Sequence, residues 1–346
     1  MKTKIIRIDE ENIDINELLK LANIIKKGGL IAIPTETVYG LAANGLDGLA
    51  VSKIFAAKNR PMDNPLILHI STMNEIYSLT RGVKEEDTEK LSHLWPGPLT
   101  VVLNKSDKVP FEVSCGLDTV AIRMPSKELT RTFIELCQTP LAAPSANLST
   151  KPSPTTADEV FEDMDGKIDA IIDGGKSSIG LESTVLDLTS SPATILRPGY
   201  YTKEMLEEYW PGVDYDLALK NEKQIPKSPG QKYKHYAPKA EVVVYIGDRE
   251  HFTRKVNELL EVRGKTIGVM AFEEDGTFEK ADFTIDMGSK EDLTKMGNIL
   301  FSSLRDMDHE KIDLVIVHGV EEESYGLSIM NRLKKSASGR VYYLED

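Results

Sequence analysis

Leu30-Ile31-Ala32-Ile33-Pro34-Thr35-Glu36-Thr37-Val38-Tyr39-Gly40-Leu41 is the stretch that decides the fold. Its apolar start, Leu30 to Ile33, runs straight into Pro34 and a block of hydroxyls. A short apolar run ended by a breaker predicts a buried strand. The polar continuation predicts a loop on the rim where open α/β sheets place their ligands. Upstream, Ile15, Leu18, Leu19, Ala22 and Ile25 recur at helical spacing over residues 14–27, and Gly28-Gly29 stops that helix. Downstream, residues 49–57 are again helical, with Ile54 and Phe55 on the apolar face, and end in Lys58-Asn59-Arg60-Pro61. Asn64-Pro65-Leu66-Ile67-Leu68-His69-Ile70 then returns to a strand over 66–70. Three polar clusters thus converge on one rim, where cations suit phosphate and hydroxyls suit a small polar molecule.

The same mixture continues. Residues 100–103, 120–124, 170–172, 185–188 and 194–196 have strand character, and 85–94, 127–137 and 156–163 have helical character. Strands and helices alternate without a strict βαβ repeat. That predicts a large twisted mixed sheet with helices on its faces. Around residue 211 the composition changes. Between Pro211 and Pro238 the chain is polar and carries Pro226, Pro229 and Gly230, with no period of either kind, as expected of a linker. Beyond it strands at 242–246, 266–270 and 312–317 are interleaved with helices at 248–261, 290–304 and 326–336, the order of a smaller Rossmann-like α/β domain. The expected division is a larger domain over 1–210, a linker over 211–240 and a second domain over 241–346.

Composition narrows the function classes. The chain has 346 residues, enough for two cores, with 40% hydrophobic and 28% charged residues. A net charge of −13 argues against a broad nucleic-acid-binding face but leaves room for a local basic pocket. Cys115 and Cys137 have no CxxC spacing, so neither a disulfide framework nor a structural zinc site is expected. The first residues lack the apolar core of a signal peptide, and no apolar run is long enough to span a bilayer. The expected place is the cytoplasm. Familiar phosphate motifs are missing. Gly175-Lys176-Ser177 has the tail of a P-loop, but Ala170 stands where its first glycine is required.

Candidate site residues each carry two readings. Lys58 and Arg60 at a helix end either complement the helix dipole or clamp a triphosphate, Arg through its planar fork and Lys as a mobile charge. Thr35 either closes a turn or meets a ligand. Ser145 and Asn147, in Pro144-Ser145-Ala146-Asn147, suit a turn when taken alone. His69 sits in an apolar strand and is either a core histidine or a site residue. Arg123 ends a buried run and needs an anion, either a substrate carboxylate or a neighbouring acid such as Glu36 or Asp118. Trp95-Pro96-Gly97-Pro98 is a structural turn feeding the next strand.

Together the blocks resemble one family. The opening stretch, the Lys58-Asn59-Arg60-Pro61 segment and Trp95 to Thr100 are joined by Ala121-Ile122-Arg123-Met124-Pro125 and Ala143-Pro144-Ser145-Ala146-Asn147. Glu182-Ser183-Thr184-Val185, Leu196-Arg197-Pro198-Gly199 and Ser228-Pro229-Gly230-Gln231-Lys232-Tyr233-Lys234-His235-Tyr236-Ala237-Pro238 follow in order. This set resembles the YrdC/YwlC/Sua family, the threonylcarbamoyl-AMP synthases, over nearly the whole chain, in the two-domain form. The resemblance implies synthesis of L-threonylcarbamoyladenylate from L-threonine, bicarbonate or CO2, and ATP, with release of pyrophosphate and with Mg2+. It implies that Lys58 and Arg60 are catalytic and, with Ser145, Asn147, Arg197 and Tyr236, bind the nucleotide. It assigns Thr35, His69, Thr119, Arg123 and Ser183 to L-threonine, and the segment around Tyr236 to a lid. Gln231 departs from the family pattern, where methionine is expected. The product would go to the proteins that transfer threonylcarbamoyl to tRNA. Two other readings stay open: a module that binds double-stranded RNA or tRNA without chemistry, and a carbamoyl-adenylate enzyme fed by carbamoyl phosphate.

Overall fold

The computed structural model describes residues 2–220, 236–261 and 264–344. The chain divides into two compact units. The described part of the first covers 2–149, 153–178 and 182–220, and that of the second covers 150–152, 179–181, 236–261 and 264–344.

The first unit is built on strands β1 (Lys4–Arg7), β2 (Ile31–Ile33), β3 (Gly40–Asn44), β4 (Ile67–His69), β5 (Leu99–Asn104) and β6 (Thr119–Arg123). They are followed by β7 (Leu141–Ala142), β8 (Ala170–Asp173), β9 (Thr184–Asp187), β10 (Thr194–Arg197) and β11 (Asp214–Tyr215). Over the described residues these eleven form one sheet, in the order β1-β8-β2-β3-β7-β4-β6-β5-β9-β10-β11. Parallel and antiparallel pairs both occur along it, so the expected mixed sheet is what the sequence builds.

Both faces of this sheet are covered. On one, helices Ile15–Lys26 and Glu128–Cys137 bury Leu18, Ile25, Phe133 and Ile134 against Ile31 and Ile33. On the other, helix Gly48–Lys58 buries Val51 and Ile54 in a cluster with Leu41, Leu68, Val101 and Ile122. Each fully buried aliphatic or aromatic side chain contributes about 1.5–3 kcal/mol, which is why helical periodicity in the sequence translates into fixed helix positions. Caps set the helix starts. Asp14 and Asp47 accept backbone N–H groups of the first turn, and Thr156 with Glu159 forms a capping box on Ala157–Met164.

Two features differ from the sequence expectation. The chain does not pass from the first strand through a loop directly to a helix. Residues 34–39 close a hairpin, because Gly40–Asn44 adds β3 antiparallel to β2, with Ile33 opposite Gly40. Gly, Ala and Asn have weak strand propensity, so this strand carries no local signature and forms only because the sheet on either side encloses it. Residues 213–220, expected within a linker, also extend the first unit. Val213 is buried, β11 pairs parallel to β10, and a short helix spans Leu217–Lys220. A two-residue strand is too short to show a period.

The second unit has an all-parallel sheet of β12 (Glu241–Ile246), β13 (Ile267–Ala271), β14 (Phe283–Asp286), β15 (Leu314–His318) and β16 (Val341–Tyr343), ordered β14-β13-β15-β12-β16. Helices Arg249–Leu260, Thr294–His309 and Ser324–Ser336 accompany it. Phe252, Val256, Val243, Val269 and Ile316 form its own core. Strands buried on both faces read as unbroken apolar runs, and β12, β13 and β15 do. Among the described residues no helix is long and apolar enough to cross a membrane.

Candidate active site

Strand register assembles the site. His69 of β4 lies opposite Arg123 of β6, Arg123 opposite Thr100 of β5, Thr100 opposite Val185 of β9, and Val185 opposite Arg197 of β10. Laterally paired residues share a face of the sheet. One row across five strands therefore carries an imidazole, a hydroxyl and two guanidinium groups, all buried. Burial, and next the charge of Arg123, pushes the His69 imidazole down to about 3, so it is neutral at physiological pH. Its Nδ1 lies 3.3 Å from the Ile67 carbonyl.

The hairpin loop leans on this row. Thr35 Oγ1 donates to the Val38 carbonyl at 2.6 Å and accepts the amides of Thr37 and Val38, each at 3.2 Å, closing the turn through its own hydroxyl. Ser177 Oγ donates to the Thr35 carbonyl at 2.9 Å. Arg123 Nη1 donates to Thr37 Oγ1 at 2.8 Å, while its Nη2 lies 2.7 Å from Glu36 Oε1. Of the anions weighed for Arg123 from sequence, Glu36 is the one beside it here. On the other side of Arg123, Thr100 Oγ1 and Ser183 Oγ share a hydrogen bond of 2.7 Å. Arg197 donates through Nε to the Ser183 carbonyl at 3.0 Å and through Nη2 to Ser183 Oγ at 3.1 Å.

A second cluster is tied to the same hairpin. Leu41 N donates to the Pro144 carbonyl at 2.7 Å and Ala146 N to the Tyr39 carbonyl at 2.8 Å, with a bridge between Gly40 and Ser145. The helix carrying Lys58 ends at Asn59, which takes the left-handed conformation, φ 53°, that asparagine tolerates. Arg60 N then returns to the Phe55 carbonyl at 2.9 Å. Lys58 does not extend into solvent beyond the helix end. It is buried, and its Nζ donates to the carbonyls of Ser145 and Asn147 and to Asn147 Oδ1. Ser145 Oγ donates to Asn147 Oδ1 at 2.6 Å. Arg60 is half-buried, with Nη2 on the Asn64 carbonyl at 2.8 Å and its guanidinium 5.7 Å from the Phe55 ring centre.

These two clusters, a cation-and-amide set beside a row of hydroxyls and guanidinium groups, lie within a range of the chain that matches a known sequence family. The sequence family described as "Telomere recombination" matches residues 23–199, and that described as "Threonylcarbamoyl-AMP synthase, C-terminal domain" matches 201–338. The threonylcarbamoyl-AMP synthase of Pyrococcus abyssi is 46% identical over 92% of this chain and 94% of its own length. The chain belongs to the threonylcarbamoyl-AMP synthase family. The Bacillus subtilis synthase is 40% identical over 96% of both chains. The crystal structure of P. abyssi Sua5 complexed with L-threonine matches with a TM-score of 0.93 and 44% identity, covering 99% of this chain and 100% of that one. The protein is thus an enzyme, a nucleotidyltransferase that synthesises threonylcarbamoyl-AMP for threonylcarbamoyladenosine modification of tRNA.

Not every sequence candidate lies in this synthase's two clusters. Thr119 starts β6 while Arg123 ends it, roughly 13 Å away at about 3.3 Å per residue. It pairs with Asn104 at the opposite rim. Tyr236 belongs to the second unit, where its buried ring stacks on Phe301 at 4.9 Å between centroids. Residues 228–235 of the expected lid lie outside the described residues. Conversely, Thr37 and Thr100 join the site without having been singled out. Thr100 opens a run read only as a strand, and only strand register, which no local pattern encodes, places it beside Arg123.

Proposed function

We propose that the enzyme joins L-threonine, CO2 (from bicarbonate) and ATP, with L-threonine at the strand row and hairpin loop and ATP held chiefly by the Lys58 cluster. The observation that supports this most strongly is the burial of Lys58 against Ser145 and Asn147, which fixes a positive charge beside an amide and a hydroxyl. Lys58 and Arg60, with Ser145, Asn147, Arg197 and Tyr236, are the proposed ATP residues. Thr35, His69, Arg123 and Ser183 are proposed for L-threonine, with Thr119 a weaker member because of its distance. The threonine amine captures CO2 as a carbamate. A carbamate oxygen then attacks the α-phosphorus, and pyrophosphate leaves. No protein nucleophile is needed. Holding both reactants in line supplies roughly 7–11 kcal/mol of the barrier reduction, and the cations offset charge that develops on the phosphates.

Among the described residues no three His, Cys, Asp or Glu side chains converge in a metal cage. Mg2+ needs no such cage, and we propose that it enters as part of the Mg·ATP substrate, held by phosphate oxygens and water. The enzyme is proposed to act in the cytoplasm, consistent with two free thiols, and to pass its product to the proteins that load threonylcarbamoyl onto tRNA. The deciding experiment is pyrophosphate release from ATP with L-threonine and bicarbonate each present or omitted. A requirement for both is expected. Release without threonine would overturn the assignment in favour of another acceptor, and no release with tight, salt-sensitive RNA binding would favour a binding module.

A further inference from the structure

Glu36 is a buried carboxylate with an unusual balance of partners. It is 6% exposed, and neither carboxylate oxygen receives a hydrogen bond among the described residues. Arg123 is its ion-pair partner, with Nη2 at 2.7 Å from Oε1 but out of hydrogen-bond alignment, and among the described residues Nη2 is likewise without a hydrogen-bond acceptor. The rest of the guanidinium is held firmly, by Thr37 Oγ1 at 2.8 Å and more weakly by the Gly97 carbonyl at 3.4 Å. Buried carboxylates normally gather several donors, and a structural ion pair normally aligns its hydrogen bonds. Here, in a pair buried on both sides, two acceptor oxygens and one donor nitrogen are left over on facing groups. Those leftovers match an α-amino acid, whose carboxylate takes a donor and whose ammonium takes acceptors.

We propose that Glu36 and Arg123 form an exchangeable ion pair that recognises the zwitterion of the amino-acid substrate: its carboxylate takes Arg123 and its ammonium takes Glu36. The inference rests on the assignment of Arg123 to the substrate carboxylate. Its physical content is charge balance in a dry site. A zwitterion has no net charge, and on entry it gives each member of the pair a new counter-ion. A ligand with the carboxylate alone would draw Arg123 away and leave Glu36 buried beside no cation, which is strongly unfavourable. Glu36 is therefore a specificity residue that demands an α-ammonium. It also places the amine at a carboxylate able to accept its proton, as an amine must be neutral before it can capture CO2.

The test compares L-threonine with (3R)-3-hydroxybutanoate, the same molecule without the amino group, by calorimetry on the full-length enzyme. In the unmodified enzyme the deamino ligand should bind about 10- to 100-fold more weakly, the scale of a hydrogen bond to a charged group. Equal affinities would overturn the proposal without any variant. Glu36→Gln, which keeps shape, should weaken L-threonine by a similar factor and leave 3-hydroxybutanoate unchanged or tighter. If both ligands weaken equally, Glu36 only props Arg123 and the proposal falls. Arg123→Gln separates this from failure of the underlying assignment. Unchanged binding of both ligands in that variant would remove Arg123 from the substrate site, whereas loss of both with Glu36→Gln acting equally on the two would sink the zwitterion role alone.

Discussion

Lys58 shows what one side chain can conceal from its sequence. A lysine at a helix end suggests a solvated charge that complements the dipole, and the alternative, a phosphate clamp, rested on its conjunction with Arg60 and the Ser145-Ala146-Asn147 segment. The structure turns Lys58 inward onto that segment. Its removal therefore has two effects. Lys58→Ala should lower pyrophosphate release at least 100-fold. It should also destabilise the fold by about 1–3 kcal/mol, because the Ser145 and Asn147 carbonyls lose a charged donor. Arg60→Ala should match the activity loss and cost about 1–3 kcal/mol of stability, because the carbonyl of buried Asn64 loses its charged donor. Urea melts beside initial rates check both, and full turnover in either soluble variant would refute the clamp. His69 gives a pH prediction. Its folded pKa of about 3 lies below its ordinary value of 6.5, so the unfolded chain binds the extra proton between those limits. Stability is then complete above pH 6.5 and falls as pH drops toward 3, by up to about 1.4 kcal/mol per unit. His69→Gln should flatten that acid limb. An unchanged slope in urea midpoints measured from pH 7 to 4 would show that other groups, not His69, set it.

At the scale of elements, legibility tracked the presence of a local period. Helices such as Ile15–Lys26 and Glu128–Cys137 were readable because burial on one face imposes a 3.6-residue repeat, and capping residues mark their starts. Apolar strands such as β6 and β12 were readable as runs. The hairpin partner β3 and the edge strand β11 were not, since their residues are small or few and their pairing is decided by neighbours distant in sequence. The site followed the same division. Lys58, Arg60, Arg123 and Ser183 stood out through motif conjunction, while Thr100 entered only through register. One connection also constrains the site from outside it. A Cβ on Gly199 would stand 2.3 Å from the Thr184 amide nitrogen and 2.7 Å from the Ser183 carbonyl carbon, contacts with backbone that cannot turn aside. Gly199→Ala should thus push the Ser183 segment away from Thr100 and Arg197. The expected cost is about 1–3 kcal/mol of stability together with a raised KM for L-threonine. A normal KM in a destabilised variant would separate Ser183 from substrate binding.

For the whole molecule, the division into two units makes a prediction about where binding and turnover reside. Every candidate threonine residue, from Thr35 to Ser183, lies in the first unit, whose sheet is completed by β11 and followed by the helix Leu217–Lys220. The sequence alone placed the boundary at 210, and truncation there would strip Val213 and β11 from the core. A fragment ending at residue 220 keeps both, and its core clusters are formed by residues of that unit. It should fold cooperatively and bind L-threonine within about threefold of the full chain. A truncation at 210 should melt at a lower temperature, because it loses a buried valine worth roughly 1.5–3 kcal/mol and exposes the β10 edge. Turnover is a different matter, because the segment carrying Tyr236 is proposed to cover the nucleotide. Pyrophosphate release by the 1–220 fragment should be at least tenfold below that of the full chain. An internal deletion of residues 229–238 in the full chain should lose activity to a similar degree while retaining threonine affinity. Full turnover by the fragment would show that the first unit completes the reaction by itself, and the lid assignment would fall while the substrate assignments stood.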